Sequence, residues 1–177
     1  MDGLIVVDVQ NDFCPGGALP VPGGDAVVDP INRLMEEISF TVATRDWHPS
    51  DHRSFASQGG PWPPHCVQET GGAQLHPKLH TSQIDAVVDK GQGREEDGYS
   101  GFERTSLERL LRERDVERVH VTGLALDYCV RATALDARRA GFDVILHTDS
   151  TRAINAQPGD EERVLKELRD AGVEIVD

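Results

Sequence analysis

Short apolar runs rich in β-branched residues recur along the chain, separated by stretches in which apolar residues return every three or four positions. The first pattern marks strands and the second marks helices, and their alternation predicts βαβ units on a parallel sheet. Six runs qualify as strands: 4–9, 40–44, 86–89, 118–122, 143–147 and 173–176. Asp29-Pro30 predicts an N-cap followed by proline at the first helical position, with Ile31, Leu34, Met35 and Ile38 on the apolar face. Thr105-Ser106-Leu107-Glu108 has the form of a capping box, and Leu107, Leu110 and Leu111 mark the buried side of the helix it opens. Two further helices are expected over 127–140 and 160–171, stopped by Gly141 and Gly172. The expected architecture is α/β, a three-layer α/β/α arrangement around a mostly parallel sheet of six strands.

Between the second and third strands, residues 48–84 are rich in Pro, Gly, Ser and His. A loop of that length inside a compact domain is unusual and usually functional. The 177 residues suit one domain, 1–177, long enough to bury a core without covalent staples. The net charge of −13 would repel a phosphate backbone or an anionic lipid surface, so neither nucleic acid nor membrane is expected as a partner. Met1-Asp2-Gly3 leads straight into Leu4-Ile5-Val6-Val7 without a basic leader or a spanning apolar run, which predicts a soluble cytoplasmic protein. The three cysteines Cys14, Cys66 and Cys129 are an odd, sparse set that reads as reduced thiols.

In open parallel sheets the ligand crevice lies at the carboxyl ends of the strands. Here those ends carry reactive side chains: Asp8 after the first strand, Asp46-Trp47-His48 after the second, Lys90 after the third and Cys129 after the fourth. Each has a bland reading alone, as a turn residue, a surface lysine or a buried thiol; their convergence on one crevice favours chemistry. Cys129 falls about two residues into a helix, where unpaired amides and the dipole favour a thiolate nucleophile. Lys90 is one of three lysines against fifteen arginines, and a cation there would stabilise both the Asp8 carboxylate and the thiolate. Asp46-x-His48 with His65 offers three N/O ligands and leaves open positions, as in catalytic sites for zinc or a similar divalent ion. His52 reads either as a fourth ligand or as a neighbour that orients one. His76, His80, His120 and His147 have no partner at comparable spacing and read as surface or satisfied core residues.

Several strings together resemble the nicotinamidase/pyrazinamidase group of the isochorismatase-like cysteine hydrolases. They are Val7-Asp8-Val9-Gln10-Asn11-Asp12-Phe13 with Pro15-Gly16-Gly17, Asp46-Trp47-His48-Pro49, Trp62-Pro63-Pro64-His65-Cys66, Lys90-Gly91, Tyr99-Ser100-Gly101-Phe102, and Thr122-Gly123-Leu124-Ala125-Leu126-Asp127-Tyr128-Cys129-Val130. The blocks follow the family order through nearly the whole chain, and the metal strings separate this group from metal-free relatives.

The resemblance implies a Rossmann-like, isochorismatase-like fold and a triad of Asp8, Lys90 and Cys129. It implies a divalent ion on Asp46, His48 and His65, with zinc expected and iron or manganese as alternatives, bound by the substrate's ring nitrogen. Phe13, Trp62 and Tyr99 are implied to flank a pyridine ring, and a cis peptide between Leu124 and Ala125 to aim the amides of Ala125 and Cys129 at an oxyanion. The implied partner is a small amide, nicotinamide, and self-association into a homo-oligomer is compatible with the sequence. Two other classes stay open at this point. A sister amidase for a carbamoyl or ureido substrate would keep the triad without the metal; a flavodoxin-like binding module fits the charge but wants a Ser/Thr/Gly-rich loop where Gln10-Asn11-Asp12-Phe13 stands.

Overall fold

The computed structural model describes all 177 residues. Its strands are β1 (Asp2–Val7), β2 (Thr41–Asp46), β3 (Ala86–Lys90), β4 (Arg118–Leu124), β5 (Asp143–Arg152) and β6 (Glu174–Val176). Its helices are α1 (Val28–Glu37), α2 (Leu107–Glu113), α3 (Arg131–Arg139) and α4 (Asp160–Asp170). The six strands form one sheet in the order β3-β2-β1-β4-β5-β6, and every pairing is parallel.

Leu4, Ile5, Val6 and Val7 are fully buried, because both faces of the central strand are covered. Leu4 and Val6 pack with Val28, Ile31 and Met35 of α1 on one face. Ile5 and Val7 share the other with Leu107 and Leu111 of α2, Ala134 and Ala137 of α3, and Leu168 of α4. The strand order reverses between β1 and β4, which opens a crevice where their carboxyl ends diverge.

Several element ends differ from the sequence expectation, each for a local reason. The chain leaves β1 at Val7 because Asp8 takes a left-handed conformation, φ 50°. The first helix opens at Val28 out of a 3₁₀ turn, with Val27 as its N-cap. Asp29 is therefore not the cap, and Pro30 sits inside the first turn, where no backbone N–H has a helical partner to lose. The expected capping box does not form: Ser106 is the N-cap without a side-chain bond, Thr105 Oγ1 accepts from the Leu107 N–H at 3.2 Å, and Glu108 faces Arg112. The helix expected over 127–140 begins as a π turn, Leu126–Val130, and becomes regular at Arg131. β5 runs five residues further than its apolar pattern, since Thr151 and Arg152 pair with Gly123 and Leu124 after a break in register. No helix is long and apolar enough to cross a membrane.

Candidate active site

Register brings the first two charged groups together. Asp46 ends β2, Lys90 ends β3, and the two are direct partners in the parallel ladder. Lys90 Nζ lies 2.5 Å from Asp46 Oδ1 and 2.7 Å from Asp8 Oδ2, with the lysine fully buried. The ammonium also donates to the Gly98 carbonyl at 2.5 Å and reaches the sulfur of Cys129 at 3.4 Å. Asp8 is held by Thr44, whose hydroxyl donates to Oδ1 at 2.7 Å. A buried ammonium costs several kcal/mol unless it is paired and hydrogen-bonded, and this one has two carboxylates and a carbonyl.

That enclosure sets the protonation states. Burial raises the Asp8 carboxyl to about 6, opposed by Lys90 and helped by Asp46. Burial would also raise Asp46, but Lys90 and His48 outweigh it and hold Asp46 well below the usual carboxylate range. Burial disfavours the Lys90 charge, yet Asp46, Asp8 and Cys129 together raise it well above the ordinary lysine value. Burial pushes the Cys129 thiol up as well; Lys90 pulls it down, but Asp8 and Asp46 add to the rise. A resting thiolate, expected from a helix start, is thus replaced by a neutral thiol beside a carboxylate base. Cys129 is the fourth residue of the π turn, past its first free amides, and its sulfur lies within 4.8 Å of the Asp8 and Asp46 carboxylates.

The other oxygen of Asp46 faces two imidazoles, with His48 Nε2 at 3.3 Å and His65 Nε2 at 3.8 Å. The opposite nitrogens are fixed by backbone: His48 Nδ1 meets the Gly91 carbonyl at 2.8 Å, and His65 Nδ1 meets the Pro63 carbonyl at 2.8 Å. A carbonyl only accepts, so each Nδ1 carries the proton and each Nε2 offers a lone pair to the space beside Asp46. The ligand atoms of Asp46, His48 and His65 lie within 4.8 Å of one another and all three residues are buried. Burial alone would lower His48, but Asp46 reverses this and raises it, the mark of a site that draws positive charge. These residues fit a divalent ion.

His52 does not join them. Its Nδ1 bonds Ser54 Oγ at 2.7 Å and its Nε2 bonds the Glu96 carbonyl at 2.7 Å, so no lone pair is left for an ion. Its ring stacks on His48 at 3.9 Å and limits how His48 can turn. Gly91, φ 61°, makes the close approach on the opposite side: a Cβ there would lie 2.5 Å from His48 Cε1. Cys14 and Cys66 are buried free thiols, both pushed up by burial.

Beside Cys129 a small cavity is lined by Phe13, Trp62, Tyr99, Ala125, Asp46 and His65. Trp62 Nε1 donates to Tyr99 OH at 3.1 Å, and Tyr128 meets the Trp62 ring edge-on at 5.1 Å. The Leu124–Ala125 peptide is cis. Of the residues named from the sequence, Phe13, Asp46, Trp62, His65, Tyr99, Ala125 and Cys129 line this cavity. Lys90 contacts Cys129, Asp46 and Asp8, His48 contacts Asp46, and Leu124 is buried in the core. Tyr128, Leu19 and Ile154 complete the cavity lining without having been singled out. Tyr128 adjoins Cys129, a signal that was available; Leu19 and Ile154 come from loops that carry none.

A second group of residues went unread although part of it lies in the quoted strings. The Gln10 side chain is fully buried and clamps the Asp46 backbone from both sides. Its Nε2 donates to the Asp46 carbonyl at 2.8 Å and its Oε1 accepts the Asp46 N–H at 2.9 Å. Asp12 accepts the Cys66 N–H at 2.8 Å, which anchors the residue after His65. Asp127 accepts the N–H groups of Ile154 and Asn155, both at 2.9 Å, and so hangs the Ile154 loop over the cavity.

The isochorismatase domain family matches residues 2–177. The nicotinamidase of Escherichia coli (strain K12) is 43% identical, over 97% of this chain and 92% of that protein. Among solved structures, the pyrazinamidase of Pyrococcus horikoshii in complex with zinc superposes at a TM-score of 0.92 with 47% identity, covering 99% of this chain and 98% of that one. PnC1 from L. infantum in complex with nicotinate gives 0.95 and 45%, covering 100% and 92%. A buried Asp-Lys-Cys cluster at the switch point of a parallel sheet, matched over nearly its whole length by that domain, places the chain in the isochorismatase family.

Proposed function

We propose that residues 1–177 form one catalytic unit, a metal-dependent cysteine amidase that hydrolyses nicotinamide to nicotinate and ammonia and accepts pyrazinamide as well. The observation that carries the proposal is the Lys90 ammonium, set between Asp8 and Asp46 and 3.4 Å from the Cys129 sulfur on the wall of an aromatic cavity. The cavity is lined mainly by apolar and aromatic side chains, Phe13, Trp62, Tyr99 and Tyr128 among them, which suits a flat aromatic ring.

Asp8, with its carboxyl near 6, is mostly ionised at neutral pH and takes the Cys129 proton as the sulfur attacks the carboxamide carbon. The carbonyl π electrons move to oxygen, and the N–H groups of Ala125 and Cys129 are the donors proposed for that oxyanion, each worth on the order of 3 kcal/mol in other enzymes. The C–N bond then breaks, Asp8 returns the proton to the nitrogen, and ammonia leaves a thioester. Asp8 next takes a proton from water, the hydroxyl adds to the thioester carbon, the C–S bond breaks, and Asp8 returns its proton to the sulfur to restore the thiol, while the acid product loses its own proton to solvent as nicotinate. Lys90 keeps one positive charge beside Asp8 throughout, so the carboxylate can cycle its proton without leaving a bare charge buried. Phe13, Trp62 and Tyr99 bind the ring faces and exclude water. Asp46, His48 and His65 would hold a divalent ion, zinc the first candidate, which would supply an electrophilic anchor for the substrate ring. The reduced thiols and acidic surface suit a cytoplasmic setting.

The test is ammonia release from nicotinamide by the wild type and Cys129→Ala, with metal content measured on the same samples. The wild type should turn over with about one ion per chain and the alanine variant should not. An active Cys129→Ala enzyme would exclude the covalent route. Turnover of a carbamoyl amide by metal-free protein, without turnover of nicotinamide, would favour the sister amidase.

A further inference from the structure

Two histidines outside the crevice, twenty-seven positions apart in sequence, meet on the sheet. His120 on β4 pairs in register with Ile145 of the parallel strand β5, so His147, two residues on, projects from the same face. Their rings stack 5.1 Å apart at 27°, and His120 Nδ1 lies 2.8 Å from His147 Nε2. The other nitrogen of His120 is 3.2 Å from Oδ2 of Asp2 on β1, a carboxylate that Arg118 also approaches at 3.8 Å. Both rings are partly exposed, so an ion in solution can reach them.

We propose that His120 and His147 form a second divalent-cation site, distinct from the Asp46 cluster, in which Asp2 orients His120. The carboxylate accepts the His120 Nε2 proton, which leaves a lone pair at Nδ1, the same carboxylate–histidine arrangement that fixes ring tautomers around bound metals. His147 shifts its single proton from Nε2 to Nδ1, and both lone pairs then serve one ion with no net proton release. The outer imidazole torsion is broad, so the small ring turns this needs cost little. Burial and the neighbouring His120 hold His147 below the ordinary histidine value, against Asp149 and Glu37, which keeps it neutral at neutral pH. Those two carboxylates and Asp2 surround the pair with negative charge.

Two imidazoles suit nickel(II) or copper(II), and water would fill the remaining positions. His120 lies four residues before the end of β4, roughly 13 Å along the strand from the catalytic crevice, so the two sites load independently.

The experiment titrates Ni²⁺ into the metal-loaded enzyme by calorimetry while nicotinamide turnover is followed on the same samples. The wild type should take up one further equivalent with its turnover unchanged. His147→Ala and His120→Asn should each lose that uptake, and Asp2→Asn should weaken it roughly tenfold or more. His80→Ala, at an exposed histidine outside the pair, should leave it unchanged. Both ring variants are at partly exposed positions, and circular dichroism checks that they fold. Uptake that survives in both of them, or that inhibits turnover in step with binding, would overturn the site.

Discussion

Lys90 and Asp46 stand opposite one another at the ends of β3 and β2, 2.5 Å apart, and this pair joins the two halves of the site. One oxygen of Asp46 holds the Lys90 ammonium and the other faces His48 and His65. Lys90→Met therefore strands two buried carboxylates, and a loss of about 3–5 kcal/mol in urea unfolding is expected, with turnover abolished. A loss under about 1 kcal/mol would show that the ammonium does not balance them.

Gln10 touches no reacting atom, but it fixes the backbone from which Asp46 projects. Gln10→Leu should weaken metal retention roughly 10- to 100-fold in a chelator competition, with turnover largely restored at saturating metal. Unchanged retention would limit the clamp to a folding role.

With the Asp8 carboxyl near 6, kcat/KM for nicotinamide should fall below about pH 6 as the base is protonated, and it should not hold down to the ordinary carboxylate value of 3.8. The stability sign follows from the same shift. A carboxyl raised in the folded state contributes stability that is fully present below pH 3.8 and is lost as the pH rises through about 6. Asp8→Asn removes this dependence, so its stability relative to the wild type should improve across that window, while its turnover is lost at every pH. A rate limb centred near pH 4 would contradict the burial of Asp8.

Gly123 has φ 104°, and a Cβ there would lie 2.0 Å from the Val7 carbonyl, so β1 and β4 approach closely just before Asp8 and the Leu124–Ala125 peptide. Gly123→Ala should cost at least about 3 kcal/mol or prevent folding, measured by thermal unfolding. A variant with near wild-type melting would mean that the strands can part without loss.

The sequence by itself determined where the strands and helices lie and which reactive residues follow the strands. Both are local properties: a β-branched run such as Leu4–Val7 or a repeat such as Leu107, Leu110 and Leu111 is complete within a few residues. It also offered Asp8, Lys90 and Cys129 as candidates, since strand ends in a parallel sheet point to one crevice, and Asp46, His48 and His65 as a candidate ligand set, the last of them from a loop. Only the tertiary structure decided what each group does beside its neighbours. His52 donates its Nε2 proton to the Glu96 carbonyl, forty-four residues away, and commits its lone pair to Ser54. Asp46 became a bridge through its register with Lys90, Gln10 became a clamp, Cys129 rests as a thiol, and His120 found His147 across two strands. Register, burial and charge balance arise only when distant segments pack, and no short window of sequence contains them.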